Sequence, residues 1–417
     1  MKPSTSSNGV GPIADRERAD VLDALRGFAL LGIFISHIPD FSGHTFMTPM
    51  EQAALDRFGL DGTAAMLQDF LIRGKFYSLF SLLFGIGFAV QLDSAARRGA
   101  DFVHHFVRRL TVLLFIGLIH AGLWYGDILK DYALIGFVLI LLRRSSAATI
   151  ALVTASVFAL RVVWPVIVSG LVSMTSPITP HADPGGSFLA LTHAFDSTDP
   201  RAAFFANLDL LKLKGLQMIY DGKAISILAM FLLGALIGKL DLYRNLSGHR
   251  NVYRSVFWIC APVGVIGNAV LTPLHGATPD FPPTGMWVIE NSLYAIAVPA
   301  MAIAYASGFA WLWSCGWRSI LGWTAPAGRM ALTTYVSQTL IGIALFYGVG
   351  LGLRGQIGLV DGTILATGIF ATQCMIASLW LRWFQFGPIE WIWRRMTYGA
   401  PIPFLRHASP HASRVTI

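Results

Sequence analysis

Two arginine–histidine pairs recur at one spacing in this 417-residue chain. Arg26 and His37 lie in VLDALRGFALLGIFISHIPD, Val21 to Asp40, and Arg109 and His120 lie in RRLTVLLFIGLIHAGLWYGD. On an α-helix an eleven-residue step turns roughly 20° beyond three full turns, so each pair points to one side, about 16 Å apart. A guanidinium holds anions, and an imidazole takes and returns protons near neutral pH. After the tight turn at Gly126 come Asp127, Lys130, Asp131 and Tyr132, with Asp127 and Asp131 on one helix face. Those two carboxylates repel unless a cation compensates them, and Lys130, Arg73 and Lys75 are the cations at hand. A pocket holding His37, His120 and Asp127 would contain a base and a carboxylate to orient it, the parts of general acid–base catalysis.

The elements that must carry these groups are membrane helices. Charged residues make up 13% of the chain and hydrophobic residues 54%, and mean hydropathy is +0.59. Soluble domains carry about a quarter charged residues, so the chain reads as an all-α, polytopic membrane bundle. Ionisable side chains inside such helices are costly unless they face a protein interior or a water-filled path, which marks the Arg26–His37 stripe as a functional site. Cys260, Cys315 and Cys374 show no C-x-x-C spacing, so neither a disulfide framework nor a metal site is expected. The net charge of +8 fits basic cytoplasmic loops better than nucleic-acid binding.

Apolar runs occur at 22–38, 76–94, 107–125, 127–142, 147–172, 224–239, 254–273, 287–309, 330–351 and 362–383, about ten candidate spans, with 127–142 short enough to be broken or re-entrant. With the N-terminus inside, Arg97/Arg98, Arg108/Arg109, Arg143/Arg144 and the basic C-terminal tail fall on one side, as the positive-inside rule expects, giving an N-in, C-in chain. Residues 1–20 read as a flexible cytosolic tail without a signal peptide, 21–398 as one transmembrane domain with an outer segment at 173–223, and 399–417 as a basic cytosolic tail. Within 173–223, Ala202 to Leu216 has the composition of an amphipathic surface helix.

Each polar candidate also has an ordinary structural explanation. Arg26 and Arg109 near span ends can snorkel to lipid phosphates, His37, His120 and His44 can be satisfied hydrogen-bonding groups, and Asp127 can simply cap its helix. Arg161 sits in mid-span and needs a partner or a water path. Gly85 and Gly87 in LLFGIGFAV suit close helix packing rather than a phosphate cradle.

The runs LDALRGFALLGIFISHIPDF, GKFYSLFSLLFGIGFAVQ, RRLTVLLFIGLIHAGLWYGDILKDYALIG, GRMALTTYVSQTLIG and GPIEWIWRRMTYG together resemble the YeiB family of bacterial inner-membrane proteins, uncharacterised domain family 418. That family is similar in turn to the transmembrane acyltransferases, which include acyltransferase family 3 and the lysosomal heparan glucosaminide N-acetyltransferase. Acyltransferase family 3 has an Arg, ten residues and a His in its first span, matched by Arg26 and His37; many YeiB relatives carry Asn at the His37 position.

The resemblance implies an enzyme that passes an acyl group, with acetyl the commonest expectation, from cytosolic acyl-CoA to a hydroxyl or amine acceptor across the membrane. Arg26, Arg109 and Lys75 are then the expected contacts to the donor, His37 or His120 the base, and Asp127 the group that orients a histidine; direct transfer and a transient acyl-histidine are both open. The donor is acyl-CoA and no metal is expected. Expected partners are the lipid bilayer, an envelope glycan, lipid-linked sugar or small-molecule acceptor, and a second copy of the chain in a homodimer, but no nucleic acid. The competing expectation is a transporter or flippase, since charged residues in spans, short spans and Gly-interrupted helices mark those proteins too.

Overall fold

A computed structural model describes residues 20–99, 101–175, 191–275, 283–399 and 402–406. Of the expected tails, 1–20 and 399–417, residues 1–19, 400–401 and 407–417 lie outside the described residues, as do 176–190 of the expected outer segment. No β-strand longer than an isolated bridge, Phe384 to Leu405, occurs among the described residues. The long helices are α1 (Asp20–Ser42), α4 (Lys75–Arg98), α5 (Phe102–Leu123), α7 (Ala147–Thr175), α10 (Arg250–Leu274), α11 (Gly285–Ser314) and α15 (Leu359–Trp383). Between α1 and α4 lie α2 (Pro49–Leu55) and α3 (Asp61–Leu71), the latter extending α4 into an apolar stretch, Asp61–Arg98. The remaining helices are α6 (Leu129–Leu141), α8 (Pro200–Tyr220), α9 (Lys223–Lys239), α12 (Arg318–Leu321), α13 (Ala325–Arg329), α14 (Ala331–Phe346) and α16 (Pro388–Tyr398). The expected surface helix at Ala202–Leu216 is part of α8.

Among the described residues, seven helices are long and apolar enough to cross a bilayer, or eight if α8 and α9, bent by 66° at Gly222, form one broken span. The chain is thus a multi-pass membrane protein of α-helices. Of the ten apolar runs, 127–142, 224–239 and 330–351 fold into α6, α9 and α14, with 13, 17 and 16 residues. At 1.5 Å per residue these reach roughly 20–26 Å, less than a bilayer's hydrocarbon core.

Burial ranks the helices. In α1, 72% of the most apolar stretch is buried inside the protein, against 22% in α7, 17% in α10 and 28% in α15. α1 is therefore central, packed by α4, α13, α14 and α15, while α7, α10 and α15 turn large apolar residues such as Leu152, Ile266 and Met375 outward. So much exposed apolar surface suits a lipid environment. Gly85 packs α4 directly on α9: a Cβ there would sit 2.0 Å from the Phe231 carbonyl oxygen, and one at Gly234 2.0 Å from that of Leu82. Small residues at such a crossing let two membrane helices approach backbone to backbone. Gly87, by contrast, faces a cavity beside Arg26.

Candidate active site

The turn between α5 and α6 folds one carboxylate back onto one histidine. α5 ends at Trp124 in extended conformation, and Asp127 starts the return. The return is tight because Gly117 has no side chain: a Cβ there would lie 2.4 Å from the Lys130 backbone nitrogen. Asp127 accepts the amides of Leu129 at 3.1 Å and Lys130 at 3.0 Å, capping α6. The same carboxylate meets His120, Nδ1 to Oδ1 at 2.7 Å. Capping and orientation are therefore one arrangement, and the helix that Asp127 starts fixes the angle at which it holds the imidazole. An acceptor on Nδ1 assigns the proton to that nitrogen and leaves the Nε2 lone pair facing the Thr339 hydroxyl, 2.9 Å away on α14. His120, Asp127 and Thr339 are 2%, 4% and 1% exposed, so the cluster is dry.

His37, on α1, approaches the same place from the other side. Its ring meets Trp124 edge-on at 4.4 Å and lies 6.3 Å from Tyr335, whose ring is 5.1 Å from that of His120. It makes no side-chain hydrogen bond among the described residues. Of the two histidines, His120 is the one with an orienting carboxylate.

A cavity of about 650 Å3 runs along α1 from Leu22 past Arg26 and Leu30 to Ile33. At the Arg26 end it is lined by Arg109, Arg329, Arg394 and Arg406, with Gln91, Gln385 and Tyr398 among them. Arg26 pairs with Asp23 at 2.8 Å, and Arg109 lies 3.8 Å over the Trp393 ring, whose indole N–H donates to the Arg109 carbonyl at 3.0 Å. The acid in this lining, Glu390, caps α14 by accepting the amides of Leu332 at 2.6 Å and Thr333 at 2.9 Å and the Thr333 hydroxyl at 2.5 Å. Burial pushes its carboxyl up from the usual carboxylate range. At the other end Ile33, Ile128 and Tyr335 line the wall. His37 and Thr339 each follow one of these residues by a single helical turn, about 5.4 Å, and Asp127 directly precedes Ile128.

The structure thus brings together His120 and Asp127, sets His37 beside them, and places Arg26 and Arg109 in the cavity that ends next to them. It does not bring Lys75 there. That ammonium is buried at the α3–α4 hinge and donates to the Asp69 carbonyl at 2.6 Å, while Arg73 pairs with the Asp69 carboxylate at 2.6 Å. The compensating cation near Asp127 is Lys130, which donates to the Asp127 carbonyl and pairs with Asp131, each at 3.1 Å. His44 stands apart in a short 3-10 turn, its imidazole pushed down by burial. Arg161 finds neutral partners, Ser226 at 2.9 Å and the Asn291 carbonyl at 3.3 Å. Thr339, Tyr335, Glu390 and the arginines at 329, 394 and 406 enter the site without having been singled out. The available signal for the first two was the crowding of hydroxyl and amide side chains in the TTYVSQT stretch of an otherwise apolar run.

Known proteins give the chain its relatives. The family described as "Protein of unknown function (DUF418)" matches residues 237–400. The "Uncharacterized protein YxaH" of Bacillus subtilis (strain 168) is 31% identical, covering 93% of this chain and 96% of its own length. The "Uncharacterized protein YeiB" of Escherichia coli (strain K12) is 28% identical over 94% of this chain and its own full length, and the "Uncharacterized 39.9 kDa protein in amylase 3'region" of Bacillus acidopullulyticus is 27% identical over 94% and 98%. No solved structure matches. End-to-end similarity at this level, in the same order of elements, means that the chain belongs to the YeiB (DUF418) family.

Proposed function

We propose that the protein is a membrane-embedded acyltransferase that takes an acyl group, acetyl in the simplest case, from cytosolic acyl-CoA and passes it to a hydroxyl or amine acceptor at the outer face of a bacterial inner membrane. The observation that carries this reading is the cavity, which begins among five arginines and ends at Tyr335, whose ring lies 5.1 Å from that of a histidine held by a carboxylate. Arginine forks bind phosphates in pairs of charge-assisted hydrogen bonds, which suits the diphosphate and 3′-phosphate of CoA. From Leu22 to Ile33 the cavity follows α1 for roughly 16 Å, a run comparable to an extended pantetheine arm. It would deliver the thioester carbonyl to the wall formed by Ile33, Ile128 and Tyr335.

In this reading His120 Nε2 is the base, Asp127 fixes its tautomer and angle, and the surrounding apolar side chains keep water from the thioester. His37 closes the far side of the pocket, next to the acceptor's entry. The topology that goes with it has ten crossings, N-terminus and C-terminus inside, with α6, α9 and α14 as short or broken spans; the bias of Arg and Lys toward one set of loops supports it. The acceptor is an envelope glycan, a lipid-linked sugar or a small molecule.

The second reading, a transporter or flippase, draws on the 66° break between α8 and α9, because broken helices near mid-membrane build transport sites. Purified protein in detergent separates the two. CoA should raise its thermal stability and acetyl-CoA should be slowly hydrolysed, and a protein that shows neither response is not an acyl-CoA-dependent enzyme.

A further inference from the structure

Threonines inside α-helices commonly turn their hydroxyls back to the carbonyl four residues earlier. Thr154, Thr272, Thr363, Thr372 and Thr397 all do so here, at 2.7–2.9 Å. Thr339 departs from them. Its hydroxyl crosses to another helix and meets His120 Nε2 at 2.9 Å, while His120 Nδ1 meets Asp127 Oδ1 at 2.7 Å. A hydroxyl, an imidazole and a carboxylate in that order, at those distances and buried, form the hydroxyl–base–orienter constellation of nucleophilic acyl transfer, which is recognised by geometry rather than by chain order. The histidine has one lone pair to offer, and Thr339 already occupies it. An acceptor attacking directly would first have to displace Thr339 from the base.

We propose that Thr339 is the nucleophile of a two-step transfer and carries the acyl group as an ester on Oγ1 between acyl-CoA and the acceptor. This rests on the acyltransferase reading above. In the first half, His120 Nε2 takes the Thr339 proton as Oγ1 bonds to the thioester carbonyl carbon. The C–S bond then breaks and the imidazolium returns that proton to sulfur, so CoA leaves as the free thiol. In the second half the acceptor hydroxyl or amine gives a proton to the same nitrogen and attacks the ester carbonyl. The bond to Oγ1 breaks and Oγ1 takes the proton back.

Tyr335 stands one turn before Thr339 on α14 and lines the cavity. Its hydroxyl proton has no acceptor among the described residues although the side chain is buried. Such an uncommitted donor is what a carbonyl oxygen gathering negative charge requires. A threonine ester also lets donor and acceptor arrive from opposite sides of the membrane at different times.

The test is exchange of isotopically labelled CoA into acetyl-CoA without acceptor, which requires a covalent acyl-enzyme, followed by peptide mass mapping after an acid quench. Wild type should exchange, with one acetyl group on the peptide containing Thr339. Thr339→Val, checked for folding by its stabilisation with CoA, should lose exchange by about 100-fold or more, and Thr339→Ser should retain much of it. Exchange undiminished in the valine variant, or label on a histidine, overturns the threonine ester and leaves the acyltransferase reading standing. So does a wild type that consumes acetyl-CoA without exchange. A wild type that neither responds to CoA nor consumes acetyl-CoA removes both.

Discussion

The cavity along α1 gathers five guanidinium groups into a chamber at its Arg26 end, and the acid among its lining residues, Glu390, is already spent on the N-terminus of α14. The pocket around His120 has the opposite character. It is dry, every polar atom of its His–Asp–Thr line has a named partner, and each partner comes from a different helix or turn. Several cationic side chains around an open volume make a binding surface, where affinity accumulates from several contacts. A saturated, buried line of hydrogen bonds makes a positioning device, where one lost contact misplaces the rest. The two regions should therefore fail in different ways.

The largest effect is expected in the pocket. His120→Ala should lower kcat for acyl transfer by about 10²–10⁴-fold while leaving stabilisation by CoA close to wild type, because the base acts on chemistry and not on the donor's phosphates. Asp127→Asn should cost at least about 10²-fold, since the amide permits the wrong tautomer of His120. Rate and thermal shift, measured on the same preparation, decide this. If either variant lost CoA binding and kept its rate, the division between chamber and pocket would be wrong.

A charge change in the chamber should act the other way. Arg109→Gln or Arg26→Gln should raise KM for acetyl-CoA by about 10-fold or more, corresponding to one charge-assisted hydrogen bond, with kcat nearly unchanged. The defect should shrink for a donor lacking the 3′-phosphate if that group is the one contacted, which KM measurements with dephospho-CoA would read. Gly117→Ala lies between the two regions. The added carbon, 2.4 Å from the Lys130 nitrogen, must push α6 away from α5, at about 1–3 kcal/mol of stability. A loss of kcat should accompany it, because the same shift moves Asp127 from His120.

These contrasts also explain what could be read before the structure. Apolar runs announced the helices because membrane insertion demands them, and His120 and Asp127 stood out because ionisable groups in such runs are expensive. Thr339 and Tyr335 did not stand out, since either is an ordinary residue in a membrane helix and only the partner across the bundle gives it a role. The arginine chamber was half visible. Arg26 and Arg109 sit on spans, but Arg329, Arg394 and Arg406 come from a helix end, a short amphipathic helix and an extended segment that only folding brings together. Lys75 pointed elsewhere because spacing along the chain cannot tell a hinge lysine, satisfied by its own loop's carbonyl, from one that faces a ligand. The 66° bend at Gly222 was invisible for a related reason: hydropathy marks where an apolar run starts, as it did at 224, but not where an axis bends.

The smallest expected effect concerns how the chamber's floor is held. α16 docks through Glu390, whose carboxyl accepts the first amides of α14 and whose titration burial moves upward. A carboxyl with a raised pKa in the folded state adds stability that is complete below its unfolded pKa and disappears as pH climbs through the folded value. Thermal stability in detergent should therefore decline from about pH 4 toward neutrality by an amount that Glu390→Gln removes, since the amide cannot ionise yet can still accept from Leu332 and Thr333. The difference between the two profiles should stay modest, because the hydrogen bonds that favour the carboxylate oppose the burial that disfavours it. The KM for acetyl-CoA should fall slightly in the glutamine variant, as one negative charge leaves a chamber built around five positive ones. An unchanged KM together with a flattened stability profile would mean that Glu390 serves the fold alone and that the arginines bind the donor without sensing it.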